Sequence, residues 1–214
     1  AGKGVVITSS EEEAHRTIDD MMVQRQFGAA GDRITLEECL EGEEASIMAF
    51  TDGYTVVPMA PSQDHKRIFD NDAGPNTGGM GAYSPVPCAP ANIADLALEQ
   101  VLQPAVDAIR DLGIPYTGVL YAGIMITADG LKTLEFNCRF GDPETQPIMA
   151  RLRSDLTALC EAALDGRLNE ITMDWDPRAA LGVVIAAGGY PDSYEKGLPI
   201  EGLDDAAALP GKIF

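Results

Sequence analysis

Histidine is nearly absent from this sequence, with 2 residues in 214, and the 4 cysteines, Cys39, Cys88, Cys138 and Cys160, form no C-x-x-C pair. A structural zinc site draws on such pairs with nearby histidines, so none is expected. Buried, reduced thiols of a cytosolic protein are the expected state of the cysteines. Positive charge is also scarce: 15 Lys and Arg stand against 34 Asp and Glu, a formal net charge of −19. Phosphate backbones and anionic lipid surfaces are held by Lys and Arg, so neither nucleic acid nor membrane is an expected partner. A small anion held by a few local cations or backbone N–H groups remains compatible with this balance. No apolar run approaches the roughly 18 residues that a bilayer span needs. The opening AGKGVVITSS lacks a basic-then-apolar leader pattern. A cytoplasmic location is therefore expected. No Ser/His/Asp triad or Cys nucleophile constellation is evident.

What is present is an ordinary globular composition, 45% hydrophobic and 23% charged, in a chain long enough for one large domain or a domain with smaller lobes. The ends, AGKGVV and PGKIF, read as strands without lead-in, as if cut from a longer polypeptide. Val5–Thr8 reads as a strand. Ser10 with Glu13 makes a capping box for a helix over SSEEEAHRTIDDMM, on which His15 is an exposed surface residue. Arg33–Leu40, Ala45–Thr51 and Tyr54–Met59 read as strands, the last two joined by an Asp52-Gly53 turn. Residues 60–91 have no period and are rich in Gly, Pro, Asn and Asp, which points to a functional loop. Ile93–Leu112 has helical spacing with a break expected at Pro104 and an end at Gly113. Thr117–Ala128 and Leu131–Asn137 form a second hairpin through Asp129-Gly130. Gln146–Leu164 reads as one helix and Leu181–Ala187 as a further strand. The fold class is α+β.

The stretch LEFNCRFGDPETQ, residues 134–146, carries the densest chemistry. On a strand, Leu134 and Phe136 point to a core, while Glu135 and Asn137 share the other face. Two oxygen donors at i and i+2 suit Mg²⁺, which takes a few protein ligands and fills its shell with water and phosphate oxygens. An acid and an amide on a solvated sheet face is the plainer reading. Arg139 offers a fork for phosphate or carboxylate. Asp142 and Glu144 can accept from an ammonium group, or merely cap the next helix near its positive end. Gly74, Gly78, Gly79 and Gly81 allow close backbone approach, and successive N–H groups there can form an anion nest. His65, Lys66 and Arg67 are the densest positive cluster. Lys3, between two glycines, can reach a phosphate. LEECLEGEEAS places Glu37, Glu38, Glu43 and Glu44 on an acidic edge that can also present backbone to a base and a carboxylate to ribose.

Together, RFGDPETQ at 139–146, SQDHKR at 62–67 and GPNTGGMGAYSP at 74–85 resemble the phosphoribosylamine–glycine ligase family of the ATP-grasp superfamily. GKGV, EGEEAS and AAGGYP occur in the matching order. The resemblance covers the whole chain. It implies an ATP-grasp fold, two α+β lobes around a nucleotide cleft followed by the start of a small β-rich C-terminal domain. The implied division is a small lobe and lid over residues 1–59, a large lobe over 60–175 with a substrate loop at 60–91, and the C-terminal start over 176–214. It implies ATP with Mg²⁺ or Mn²⁺, the metal on Glu135 and Asn137. Lys3 and Arg139 would be the catalytic cations, Lys3 touching nucleotide phosphate. Cys39 and Leu40 would face adenine beside Glu37, and Glu44, with Glu43 less central, would sit at the ribose. Asp64, Lys66, Asn76, Gly78, Gly79, Arg139, Asp142 and Glu144 would contact substrate. The implied reaction activates glycine as an acyl phosphate and joins it to 5-phosphoribosylamine in purine synthesis, with a monomer as the expected intact enzyme. The family has a domain ahead of residue 1, another lysine before GKG, and more chain beyond Phe214. The 214 residues alone are therefore expected to have little or no turnover. Another ATP-grasp carboxylate–amine ligase and a non-catalytic nucleotide-binding module are the alternatives.

Overall fold

A computed structural model describes residues 4–214, which form two compact units, divided between Glu41 and Gly42. In the first unit, Ser10 Oγ accepts from Glu13 N at 3.2 Å and starts α1 (Glu11–Ile18), which widens into a π-helical turn over Asp19–Val23. The reciprocal half of the capping box is displaced by one residue, since Glu13 Oε2 accepts from the backbone N–H and the hydroxyl of Ser9, both at 2.9 Å. A 3₁₀ turn, Gly28–Asp32, follows. The strands expected at Val5–Thr8 and Arg33–Leu40 do not form ladders. A strand needs a hydrogen-bonded neighbour, and no pairing joins these segments to another among the described residues. Residues 5–8 and 33–39 line a cavity of about 480 Å³ with Ile18, Met21 and Phe27.

The second unit is built on an antiparallel sheet in the order β2–β1–β7–β8: β1 (Glu43–Asp52), β2 (Val56–Pro58), β7 (Thr117–Thr127) and β8 (Gly130–Asn137). β1 is central and covered on both faces, which is why ASIMAF reads as a continuous apolar run rather than an alternation. Ala45, Ile47 and Ala49 join Leu120, Ala122 and Ile124 in one core. The cover on that side is α2 (Ile93–Ala97), a π turn Leu98–Leu102 and α3 (Gln103–Asp111), the break falling just before Pro104. Met48, Phe50 and Tyr121 face a second core under α4 (Thr145–Arg151) and α5 (Leu156–Leu164). The single helix expected over 146–164 is thus two helices. Leu152 leaves helical geometry, and Asp155 caps α5 by accepting from Thr157 N at 2.7 Å.

Residues 60–91 are ordered. β3 (Gln63–Asp64) and β6 (Gly81–Ser84) pair, β9 (Ala180–Val183) adds to β6, and β4 (Arg67–Phe69) pairs with β5 (Ala73–Asn76). A bridge between Ser46 and Ser62 ties this small sheet to β1. A short helix, α6 (Leu203–Ala207), lies near the C-terminus. The division between the two compact units falls at Glu41–Gly42, and β1 is in register with β7 from Glu43↔Ile126 to Asp52↔Thr117. Within residues 176–214, β9 belongs to the sheet with β6.

Both hairpins exist, with turns other than those expected. Thr51↔Val56 leaves the four-residue loop Asp52–Thr55, closed by Asp52 Oδ1 accepting from Tyr54 N at 3.0 Å and Thr55 N at 2.7 Å. Thr127↔Gly130 puts the second turn at Ala128-Asp129, one residue early, with Gly130 at φ +112°. All 4 cysteines are exposed, against the expectation of burial. His15 is exposed as expected, 3.6 Å from Glu11. Among the described residues no helix is long and apolar enough to cross a membrane.

Candidate active site

The face of the sheet that carries Met48 and Tyr121 turns polar toward one end. The register places Asn137 opposite Tyr121 and Glu135 opposite Gly123, so both side chains lie on this face. Asn137 Nδ2 donates to Glu135 Oε1 at 3.2 Å. The next pair is Ile124↔Thr133, which leaves Leu134 as an extra residue in a bulge. The bulge breaks the expected inward pair: Phe136 is 44% exposed rather than buried. Glu135 lies over β7 at Gly123, where a Cβ would come to 3.4 Å from Glu135 Cγ.

The turn after β8 folds back over the same face. Phe140 meets Phe50 edge-on at 6.2 Å, and Gly141 N donates to Met48 Sδ at 3.1 Å. This anchoring sends Glu144 into the sheet, where it is 3% exposed. Its Oε1 accepts from Ser46 Oγ at 3.1 Å and Tyr121 OH at 2.9 Å, and those two hydroxyls lie 2.8 Å apart. Glu144 therefore does not cap α4 with its side chain, the plainer of its two readings. Burial, then the Glu144 charge, raises the Tyr121 phenol well above its ordinary value. Asp142 is exposed and accepts from Gln146 Nε2 at 3.4 Å. Arg139 is exposed and donates to Phe140 O at 2.9 Å, one bond from a five-donor fork.

The remaining charges come from Glu44 on β1, Asp64 on β3 and Lys66 just after it. Lys66 Nζ lies 2.6 Å from Glu44 Oε2. Burial depresses the lysine, but the Glu44 bond and charge, with Asp64 and Glu135, outweigh it and raise its pKa. Asp64 Oδ1 is buried and accepts no hydrogen bond. Burial first, then the negative charge of Glu144, pushes the Asp64 carboxyl up to about 7, with Lys66 pulling against them. Gly79 has no room for a side chain, since a Cβ would lie 2.3 Å from Pro143 Cδ and 3.0 Å from Asp64 Oδ1. Glu44, Asp64, Lys66, Glu135, Asn137, Glu144 and Gly79 are thus brought together around one end of the sheet face.

Asp64 yields a pH prediction. Its folded pKa of about 7 lies above the ordinary 3.8, so between those values the folded chain holds a proton that the unfolded chain has lost. Stability from this group is highest below the unfolded value and falls as pH rises through the folded one. Asp64→Asn removes the charge that is penalised. The melting-temperature gain of this variant over wild type is expected near zero at pH 4 and full at pH 8, read by scanning calorimetry without ligands. An equal difference at both pH values contradicts the assignment.

The anion nest expected at the glycine-rich stretch is not available as drawn. Thr77 N donates to Lys66 O at 2.7 Å, Gly78 N to Tyr190 OH at 3.1 Å, Gly79 N to Thr77 Oγ1 at 3.0 Å and Met80 N to His65 O at 2.8 Å. Successive amides that are already bonded within the protein cannot also face an anion. Asn76 is exposed on β5 opposite Arg67. Glu37, Cys39 and Leu40 lie in the first unit, Glu37 and Cys39 lining its cavity. Lys3 lies outside the described residues. Sequence reasoning missed Ser46, Tyr121 and Tyr190. The first two were legible as lone hydroxyls inside the apolar runs ASIMAF and VLYAGIM, where a buried O–H needs a partner.

Among the described residues no group of three or more His, Cys, Asp or Glu has metal-holding geometry. Glu135 and Asn137 supply two hard oxygen donors, which fits a cation that completes its shell from water and a polyphosphate rather than from a protein cage.

A family model described as "Phosphoribosylglycinamide synthetase, ATP-grasp (A) domain" matches residues 1–145. Over its full length the chain is 55% identical to the phosphoribosylamine–glycine ligases of Yersinia pestis and Pseudomonas aeruginosa, covering 50% of each. It therefore spans about half the length of the curated relatives it matches. The crystal structure of phosphoribosylamine–glycine ligase from Thermotoga maritima superposes with a TM-score of 0.79 at 33% identity, over 92% of this chain and 49% of that one. A biotin carboxylase domain from Hydrogenobacter thermophilus, crystallised with MgADP, shares the fold at a TM-score of 0.56 and 17% identity, over 77% and 34% of the two chains.

Proposed function

The chain belongs to the phosphoribosylglycinamide synthetase ATP-grasp (A) domain family, and on that premise we propose that the protein carrying it ligates glycine to 5-phosphoribosylamine with ATP. The product is glycinamide ribonucleotide, with ADP and phosphate released. The observation that carries this reading is the convergence, on one sheet face, of the Glu135/Asn137 oxygen pair, the Lys66 ammonium, the half-buried Asp64 carboxyl and the buried Glu144 carboxylate.

The chemistry is one of placement. The glycine carboxylate attacks the γ-phosphorus of ATP, and the bond to the ADP oxygen breaks. The amine of phosphoribosylamine then attacks the acyl carbon and expels phosphate. Such transfers need in-line geometry and neutralised charge rather than a covalent protein nucleophile. Glu135 and Asn137 would hold Mg²⁺, or Mn²⁺, which when bound neutralises charge on the phosphates. Arg139, exposed with most of its fork uncommitted, and Lys3 would meet the transferred group. Asp64 and Glu144 would accept from the glycine ammonium. Lys66 and Asp142 would orient the second substrate, with Asn76 and Gly78 at its margin. Glu44 would take ribose hydroxyls, and Cys39 and Leu40 would present backbone to adenine near Glu37. A charge of −19 opposes nucleic acid and anionic lipid as partners, and a cytoplasmic site of action follows from this reading.

The test is ADP release by the full-length protein with Mg·ATP, phosphoribosylamine and a panel of small carboxylic acids. Turnover that requires glycine is expected. Equal turnover with another acid in place of glycine moves the protein to a different carboxylate–amine ligase. Mg·ATP binding without turnover on any acid leaves a nucleotide-binding module.

A further inference from the structure

We propose that Tyr190 is a positioning residue for the glycine-rich segment 77–79, and that it sets the affinity for the small amino-acid substrate by fixing where the Gly78–Gly79 backbone lies. The inference rests on the ligase reading. Tyr190 belongs to AAGGYP, lies beyond the residues matched by the family model, and has no role in the reaction proposed above.

The geometry is specific. Gly78 N donates to the Tyr190 hydroxyl at 3.1 Å, a link across 112 residues of chain. The neighbours of Gly78 are tied locally: Thr77 and Met80 to the backbone of Lys66 and His65, and Gly79 to the Thr77 hydroxyl. The tyrosine is the remote anchor of the Gly78 amide itself. It is itself held by continuous structure. β9 pairs with β6 from Gly81↔Val183 to Ser84↔Ala180, Val184 N donates to Met80 O at 2.9 Å, and Tyr190 N donates to Ala187 O at 3.2 Å. The Tyr194 ring meets that of Tyr190 edge-on at 5.5 Å.

The anchor matters because of what adjoins it. Gly79 has φ +120°, a backbone region that glycine enters freely, so the turn has little intrinsic stiffness. Gly79 also lies tight against Pro143 and Asp64 Oδ1. A drift of the Gly78–Gly79 peptide therefore moves the wall next to the carboxylates assigned to the substrate ammonium. The proposed adenine contacts at residues 37–40 belong to the other unit. Losing the hydroxyl should loosen amino-acid binding and leave nucleotide affinity alone.

Tyr190→Phe removes only the hydroxyl and keeps the ring against Tyr194; Tyr194→Phe is the control. Both are compared with wild type in the full-length protein, with glycine varied at saturating Mg·ATP and phosphoribosylamine. Tyr190→Phe is expected to raise KM for glycine roughly five- to ten-fold, the value of one hydrogen bond, with kcat within about two-fold. Its Mg·ATP Kd should be unchanged and hydrogen exchange over residues 77–79 faster. The control should match wild type throughout. An unchanged KM for glycine in an active Tyr190→Phe enzyme overturns the inference and leaves the ligase reading standing. A joint fall in kcat, ATP affinity and melting temperature shows general damage and also overturns it. A wild-type protein without glycine-dependent ADP release overturns the ligase reading, and the inference with it.

Discussion

Replacing Glu135 and Asn137 together by alanine in the full-length protein is expected to lower Mg-dependent ADP formation about a thousand-fold, on the scale of removing a principal electrostatic stabiliser of a transition state. The melting temperature should hardly move. Both side chains are part-buried at the end of β8, and neither fills a core. Surface-type truncations of this kind stay within roughly 0.5 kcal/mol. The dissociation between rate and stability is the informative result. Asn137→Ala alone leaves a carboxylate in place, so its defect should be smaller and should shrink as Mg²⁺ is raised, whereas Glu135→Ala should recover little. Wild-type turnover in the double variant at limiting Mg²⁺ would remove these two residues from the site.

How far the sequence foretold this site depends on which forces place each residue. Alternation along LEFN put Glu135 and Asn137 on one face correctly, because period 2 is a property of any strand. The same alternation failed for Phe136. A one-residue bulge at Leu134 is set by pairing to β7, and that partner is invisible within the eight residues of β8. The break between α4 and α5 was legible in Ser154-Asp155, a capping pair, but the apolar spacing on either side concealed it. Residues 60–91 read as loop because strands of two to four residues carry too few positions to show a period. Membership of a compact unit is hidden for a related reason. Local pattern identifies β1 as a strand, yet only its long-range pairing with β7 decides which unit owns it. The nest reading treated glycine amides as available, and availability is a tertiary property: the bond that claims Gly78 comes from Tyr190.

Glu144 offers the second large effect, and two substitutions divide its structural work from its charge. The carboxylate is buried and accepts from two hydroxyls, Ser46 and Tyr121. Glu144→Ala removes the shared acceptor and opens a small cavity; the two hydroxyls, 2.8 Å apart, can then bond only to each other, which leaves one buried O–H unmet, and the combined cost is about 2–4 kcal/mol. Glu144→Gln keeps an oxygen that can accept both hydrogen bonds, so its loss should stay within about 1 kcal/mol in urea unfolding. The glutamine lacks the negative charge that an ammonium requires. Cutting one partner of a buried charged pair costs upward of about 2 kcal/mol in binding. Glycine affinity in Glu144→Gln is therefore expected to fall about a hundred-fold, although the protein is folded and binds Mg·ATP normally. The same substitution takes a negative charge from beside Asp64, whose carboxyl should then titrate below about 7. A stable Glu144→Gln enzyme with undiminished glycine affinity would leave the Ser46–Tyr121–Glu144 cluster as a structural brace and move the ammonium contact elsewhere.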